Sequence, residues 1–165
     1  MSGARTVVLE LTRMEAAHLA GLVQQFAELL DGAHSAGGDP AIARLVPDAY
    51  ADDATAAQEF RDVTEQDLLD RRRDDADRVL ASLHDAAVLP DAPAEDVAME
   101  IVELRLDPED LRSWLRSLAA IRLVLATRLD IRTEEDHDVD DPRFGIYEWL
   151  GYRLDGLVQA ASEDD

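Results

Sequence analysis

The chain has 165 residues with 37 acidic and 16 basic side chains, and its net charge is −21. Every basic residue is arginine, and the excess of acid opposes unassisted binding to DNA or to an anionic membrane, since both are bound through basic clusters. There is no cysteine, which excludes disulfides, cysteine nucleophiles and thiolate metal sites. We expect one domain, 1–165, located in the cytoplasm, because the N-terminus resembles neither a signal peptide nor a membrane span.

The beginning of the chain predicts a strand followed by a helix. Residues 6–11 start with β-branched side chains and then alternate, which is typical of a half-buried strand. Thr12 and Glu15 have the spacing of a capping box, so a helix should run from there to about residue 30. The three- and four-residue spacing of its apolar side chains predicts a buried face made of Leu19, Leu22, Val23, Phe26, Leu29 and Leu30.

Three helices are predicted next, at 41–45, at 55–61, and from a cap at Thr64 to about Ala87. The apolar stripe of the third helix contains Arg72 in its middle. Residues 85–98, rich in alanine, aspartate and proline, predict a loop. Residues 99–106 then alternate again, and this second strand is expected to pair with residues 6–11.

Asp107 and Pro108 are typical of a helix start, and this helix should continue to about residue 131. Its apolar face is predicted to comprise Leu111, Trp114, Leu115, Leu118, Ile121, Leu125 and Leu129, with Arg122 inside it. An acidic loop, 133–141, precedes a last helix from Pro142 to about Ala161, and residues 162–165 are predicted to be a disordered tail. The fold class is therefore α+β and mainly α, a domain of about four to six helices with a small two-stranded β-sheet.

Two arginines are predicted to point inward. Arg72 and Arg122 both fall within apolar stripes, where an unpaired charge is very unfavourable, so each needs a carboxylate. Glu59 and Glu148 are the candidate partners because each lies in an apolar-rich helix. The pairs would either fix how the helices pack or form a binding or switch site. Removing Arg122 from such a pair should destabilise the fold by about 3–5 kcal/mol.

Trp149, Tyr152 and Gly156 share one side of the last helix. They form either a second buried face or an exposed aromatic patch of the kind that anchors protein interfaces. The sequence leaves both interpretations open.

No motif for catalysis, cofactor binding or metal binding is found in the sequence. Asp136, Asp138 and Asp140 have the spacing of a calcium-binding EF-hand loop. However, Asp141 stands where that loop needs glycine, and Tyr147 stands where it needs glutamate. We therefore expect a protein that is not an enzyme.

Four segments carry a resemblance to a known family: DPAIARLVPDAY, QEFRDVTEQDL, WLRSLAAIRLVLATRL and YEWLGY, at 39–50, 58–68, 114–129 and 147–152. In order and spacing the chain resembles the actinobacterial AosR family, formerly classed as a domain of unknown function. The resemblance retains Arg122 and Arg128, and we expect Arg128 to form a structural ion pair as well. The chain departs from the family pattern at Ala119, Ala120 and Ala126.

The resemblance implies a regulator of transcription in stress that works together with a sigma factor. We expect a non-enzymatic protein acting by protein–protein contact, with a sigma factor or RNA polymerase as its partner and no direct contact with nucleic acid or membrane. The alternative is an adaptor or accessory protein linked to Clp proteolysis or to a neighbouring cysteine-biosynthesis cluster. Redox sensing by cysteine is excluded. The oligomeric state, including a homodimer, is open.

Overall fold

The computed structural model describes residues 5–32, 40–45, 54–131 and 144–162, and within the third helix it describes the side chains from residue 66 onward. In these ranges the chain forms two strands and six helices: β1 Val7–Thr12, α1 Arg13–Asp31, α2 Pro40–Leu45, α3 Ala54–Leu83, α4 Glu95–Ala98, β2 Ile101–Leu106, α5 Pro108–Arg128 and α6 Gly145–Ser162. The predicted fold class, mainly helical α+β with a small two-stranded sheet, is confirmed.

The sheet pairs β1 with β2 in antiparallel register, so the pairing predicted from the two alternating segments is confirmed. Val7 lies opposite Leu106, and Thr12 lies opposite Ile101. Because successive side chains of a strand point to opposite faces, one face of the sheet is apolar. That face packs on the core through Val7, Leu9, Leu11, Val102, Leu104 and Leu106.

Helix α5 lies at the centre of the fold and packs against α2, α3 and α6. Its start is the predicted one: the Asp107 carboxylate accepts a hydrogen bond of 2.7 Å from the Asp110 backbone N–H, and Pro108 follows the cap. Trp114 is completely buried. The apolar residues that α5 buries are Leu111, Trp114, Leu118, Ala120, Ile121, Val124 and Ala126.

Helix α1 begins with the predicted capping box. The Thr12 hydroxyl accepts from the Glu15 N–H at 3.0 Å, and the Glu15 carboxylate accepts from the Thr12 N–H at 3.3 Å. Four of the six residues predicted for its inner face are buried, namely Leu19, Val23, Phe26 and Leu30. Leu22 and Leu29 are only partly covered.

The middle of the chain differs from the prediction in two places. The helix predicted at 55–61 and the one predicted from Thr64 are a single helix of 30 residues, α3. No glycine or proline interrupts this segment, and threonine and acidic residues are tolerated inside a helix as well as at its start. The second difference is α4, a short helix within the predicted loop 85–98.

The last helix, α6, extends to Ser162, one residue beyond the predicted end. The predicted acidic loop 133–141, Pro142 and residues 163–165 of the predicted tail lie outside the described residues. In the ranges that the structure describes, no helix has both the length and the apolar character that crossing a membrane requires.

Candidate interaction site

One carboxylate joins α1, β1 and α6. Besides closing the capping box of α1, Glu15 accepts a hydrogen bond of 3.1 Å from the Trp149 indole Nε1 and an ion-paired hydrogen bond of 2.5 Å from Arg153 Nη2. Arg153 Nη1 also donates to the backbone carbonyl of Glu10 on β1, at 3.2 Å. The position of α6 is therefore fixed by charge-assisted contacts as well as by apolar packing.

The same contacts set the ionisation of Glu15. Burial raises the pKa of this carboxyl, while the Arg153 hydrogen bond, the Thr12 backbone N–H, the Arg153 charge and the Trp149 indole all lower it. The stabilising contacts prevail, so the pKa lies below its ordinary value. Glu15 is thus ionised at neutral pH, as its partners require.

An open groove of about 540 Å³ lies beside this junction, between α1 and the first turns of α6. Most of its lining is apolar or small, and the lining residues are Glu15, Ala17, His18, Gly21, Leu22, Gln25, Gly145, Ile146 and Trp149. Ile146 is 48% exposed, and a Cβ atom at Gly21 would meet no atom within 4 Å. The sequence predicted Leu22 for the buried face of α1, whereas the structure places it at this groove, together with Ile146.

The structure separates the three residues predicted to share one side of α6. Trp149 is partly buried, packs on the core and donates to Glu15, so it belongs to a buried face. Tyr152 is 71% exposed, and Gly156 is exposed with open space around its Cα. The buried-face interpretation therefore fits Trp149, whereas Tyr152 and Gly156 are exposed and their role at an interface stays a prediction.

Arg122 is partly buried, and its contacts lie on α6. Its guanidinium carbon is 4.0 Å from the centre of the Tyr147 ring, and its Nε donates to the Tyr147 carbonyl at 3.4 Å. A Cβ atom at Gly151 would lie 2.9 Å from the Nη2 atom, so the guanidinium lies against the backbone where α6 has no side chain.

A pair of Arg122 with Glu148 is not found among the described contacts, and a pair with Glu59, whose side chain is not described, stays a prediction. Among the described residues, Arg122 contacts an aromatic ring and a carbonyl, and no carboxylate forms an ion pair with it. Glu148 lies partly buried in the first turn of α6. The side chain of Glu59 lies outside the described residues. An arginine can stack on an aromatic face because its flat cation is weakly hydrated, so a partly buried guanidinium does not require a carboxylate.

Arg72 is also partly buried, and the nearby carboxylate is Asp75. Burial lowers the pKa of Arg72, and the charge of Asp75 raises it. Asp75 accepts a hydrogen bond of 2.8 Å from the Ser113 hydroxyl and lies 3.5 Å from Arg116, so it also connects α3 to α5. The sequence contained the signal, because residues three apart lie on one side of a helix.

Two further predicted features remain as predictions or lie outside the described ranges. Arg128 is exposed in the last turn of α5, and its structural ion pair stays a prediction. The aspartates with EF-hand spacing are not described. In the part of the chain that is described, no group of three or more histidine, aspartate or glutamate side chains is arranged to hold a metal ion.

A family model described as "Domain of unknown function (DUF2017)" matches residues 1–161. The chain belongs to this family. Comparisons with curated proteins and with solved structures found no match. For this DUF2017 chain, evidence about function therefore comes from its own surfaces, among them the mainly apolar groove between α1 and α6.

Proposed function

We propose that this DUF2017 chain is a cytoplasmic, non-enzymatic regulator that acts by binding another protein, in the manner of AosR-type stress regulators of transcription. The observation that carries the proposal is the open groove between α1 and α6, with Leu22 and Ile146 in its lining. Open grooves lined by apolar side chains receive the apolar side of a partner helix or peptide.

The charge of the chain indicates the class of partner. A net charge of −21 favours a protein with basic residues around its contact surface and opposes direct contact with DNA phosphates. A sigma factor or RNA polymerase carries basic surfaces for its own contact with DNA. The resemblance to AosR regulators supports the same partners.

The test fills the groove without disturbing the core. Gly21→Leu places a side chain in open space on the groove wall, and Gly156→Leu places the same side chain in open space on α6, away from the groove lining. Binding to purified sigma factors and to RNA polymerase is measured by calorimetry. We expect the wild-type protein to bind one of them, Gly21→Leu to bind it at least about tenfold more weakly, and Gly156→Leu to bind as the wild type does.

Other results would contradict the proposal in different ways. Loss of binding with Gly156→Leu alone would move the interface to the exposed side of α6 that includes Tyr152. No binding of either partner by the wild-type protein would contradict a role at the polymerase. A gel shift of duplex DNA by the isolated protein at physiological salt would contradict the argument from charge.

A further inference from the structure

The outer face of the two-stranded sheet is exposed in the structure. Val8 and Glu10 on β1 and Ile101, Glu103 and Arg105 on β2 all point away from the core. Val8 is 49% exposed and Ile101 is 64% exposed. Val8 and Ile101 line the same surface depression, so their exposed apolar area lies together and can be covered by another molecule.

The centre of this face holds two like charges. Glu10 lies directly opposite Glu103 in the register of the sheet. Side chains in such positions have Cβ atoms about 4.5–5.5 Å apart, and like charges placed there destabilise the sheet. The pairing of the strands therefore brings together two carboxylates that repel each other.

The described residues do not neutralise this pair. Arg153 is the cation on α6 near this face, but its Nη2 atom binds the Glu15 carboxylate and its Nη1 atom binds the backbone carbonyl of Glu10. Arg105 is diagonal to Glu10, a separation of about 7–8 Å, and in the described part of the chain it forms no ion pair with either glutamate. A cation from outside would remove the repulsion.

Apolar side chains flank the two carboxylates. Val8 and Ile101 line one surface depression of about 540 Å³ together with Glu10, Thr12 and Arg153. The ring of Tyr152, which is largely exposed, lies 5.7 Å from the Arg153 guanidinium. The surface thus combines negative charge with exposed apolar area, as the contact site of a basic and apolar segment would.

We propose that the outer face of the sheet binds a basic segment of a partner protein. The segment places an arginine or lysine between Glu10 and Glu103, and apolar side chains against Val8 and Ile101. This inference rests on the proposed function, because it names the chemistry of the partner and a second contact surface. A second copy of this chain fits poorly, since it would bring four carboxylates together, and a nucleic acid would add phosphates.

The test uses the full chain and a synthetic peptide in which arginine and valine alternate, with a glutamate–valine peptide for comparison. In the variant Glu10→Gln with Glu103→Gln, we expect the peptide to bind about tenfold more weakly, which corresponds to about 1.4 kcal/mol. The same variant should melt up to about 4 °C higher than the wild-type protein, because the repulsion is gone. Weaker binding by a more stable protein cannot result from misfolding.

Two control variants separate local from overall charge. Asp67→Asn with Asp74→Asn removes two charges from exposed positions on α3 and should leave peptide binding unchanged. Ile101→Thr keeps a β-branched residue in β2 and should weaken binding without lowering the melting temperature. An equal loss of peptide affinity in both double variants would show that the peptide is attracted by net charge alone, and this would overturn the proposal.

Two further outcomes would also overturn it. The first is that the variant Glu10→Gln with Glu103→Gln binds the peptide as well as the wild type does. The second is that the wild-type protein dimerises and this variant dimerises more strongly, which would identify a second copy as the occupant. The result with Gly21→Leu distinguishes this inference from the proposed function. If Gly21→Leu no longer binds the protein partner while Glu10→Gln with Glu103→Gln still binds it, the inference about the sheet is wrong and the proposed function stands. If the double glutamine variant binds the peptide more weakly as expected, but the wild-type protein binds neither a sigma factor nor RNA polymerase, the proposed partner is wrong and the inference about the sheet stands.

Discussion

Gly151 and Arg122 together offer a test of how α6 is held against α5. Replacing a glycine inside a helix by alanine normally stabilises a protein by about 0.5–1 kcal/mol. At Gly151 the new Cβ would lie 2.9 Å from Arg122 Nη2 and 3.0 Å from its Nε, so the guanidinium must leave its place over Tyr147. The loss of that cation–π contact costs about 0.5–2 kcal/mol.

The two effects have opposite signs, so Gly151→Ala is expected to change stability between about 0.5 kcal/mol gained and about 1.5 kcal/mol lost. Gly156→Ala is the matched control on the same helix, because its Cβ would meet nothing within 4 Å and only the gain applies. The two variants should therefore differ in melting temperature by about 1–8 °C, given about 2–4 °C per kcal/mol at this size.

A double-mutant cycle isolates the contact itself. Arg122→Ala alone should cost about 0.5–2 kcal/mol, less than the 3–5 kcal/mol of a broken buried ion pair. In the Arg122→Ala background, Gly151→Ala should become as stabilising as Gly156→Ala. Urea unfolding at neutral pH measures all four proteins of the cycle. Equal gains for Gly151→Ala and Gly156→Ala in the wild-type background, with no coupling to Arg122, would refute this account of the contact.

Two further predictions follow from the described contacts and one from the composition of the chain. The folded-state pKa of Glu15 is lowered, so its charge stabilises the fold above the unfolded-state pKa, which is about 4.3 for glutamate. This stability is lost as the pH falls through the folded-state pKa. The difference in unfolding free energy between the wild type and Glu15→Gln, measured by urea unfolding across pH, should be full at pH 7 and shrink below about pH 4. Asp75→Ala should lower the unfolding free energy by about 1–3 kcal/mol, because the Ser113 hydroxyl loses its acceptor and the partly buried Arg72 loses its countercharge. Arg116→Ala, at an exposed arginine, is the control and should cost less than about 1 kcal/mol in the same assay. Mild peroxide should leave the elution volume in gel filtration unchanged because the chain has no thiol, and a shift reversed by dithiothreitol would contradict this.

Signals that involve neighbouring residues were readable from the sequence. The capping box of Thr12 and Glu15 and the Asp107–Pro108 helix start depend on positions within one turn, so composition and spacing predicted both. The alternation of the two strands likewise predicted their pairing. The continuity of α3 through Thr64 was missed because a residue that favours helix starts does not by itself end the helix before it.

Side-chain contacts between distant residues could not be predicted from the sequence, although the pairing of the two strands could. The stacking of Arg122 joins it to Tyr147, 25 positions away, and no spacing rule indicates that an aromatic ring takes the place of a carboxylate. The groove between α1 and α6 could not be predicted from the sequence for a related reason. Periodicity shows that Leu22 and Ile146 lie on apolar sides of their helices, but not whether another element covers them. The Glu10–Glu103 repulsion follows only from the register, since a shift of one residue would remove it.

The arginines and the unpaired acids of this chain have different roles in the described structure. Arg153 pairs with Glu15 between α6 and α1, Arg116 pairs with Asp75 between α5 and α3, and Arg78 reaches Glu109 and Asp110 from α3 to α5. Arginines used at such contacts are engaged within the fold, so the excess of acid remains on the surface and repels itself. A basic partner would reduce that repulsion wherever it binds, but at the sheet it would also separate two carboxylates that the register holds together. On the outer face of the sheet the described residues place Glu10 opposite Glu103 without an ion pair to either, so this is a surface where a cation from a partner would be favourable.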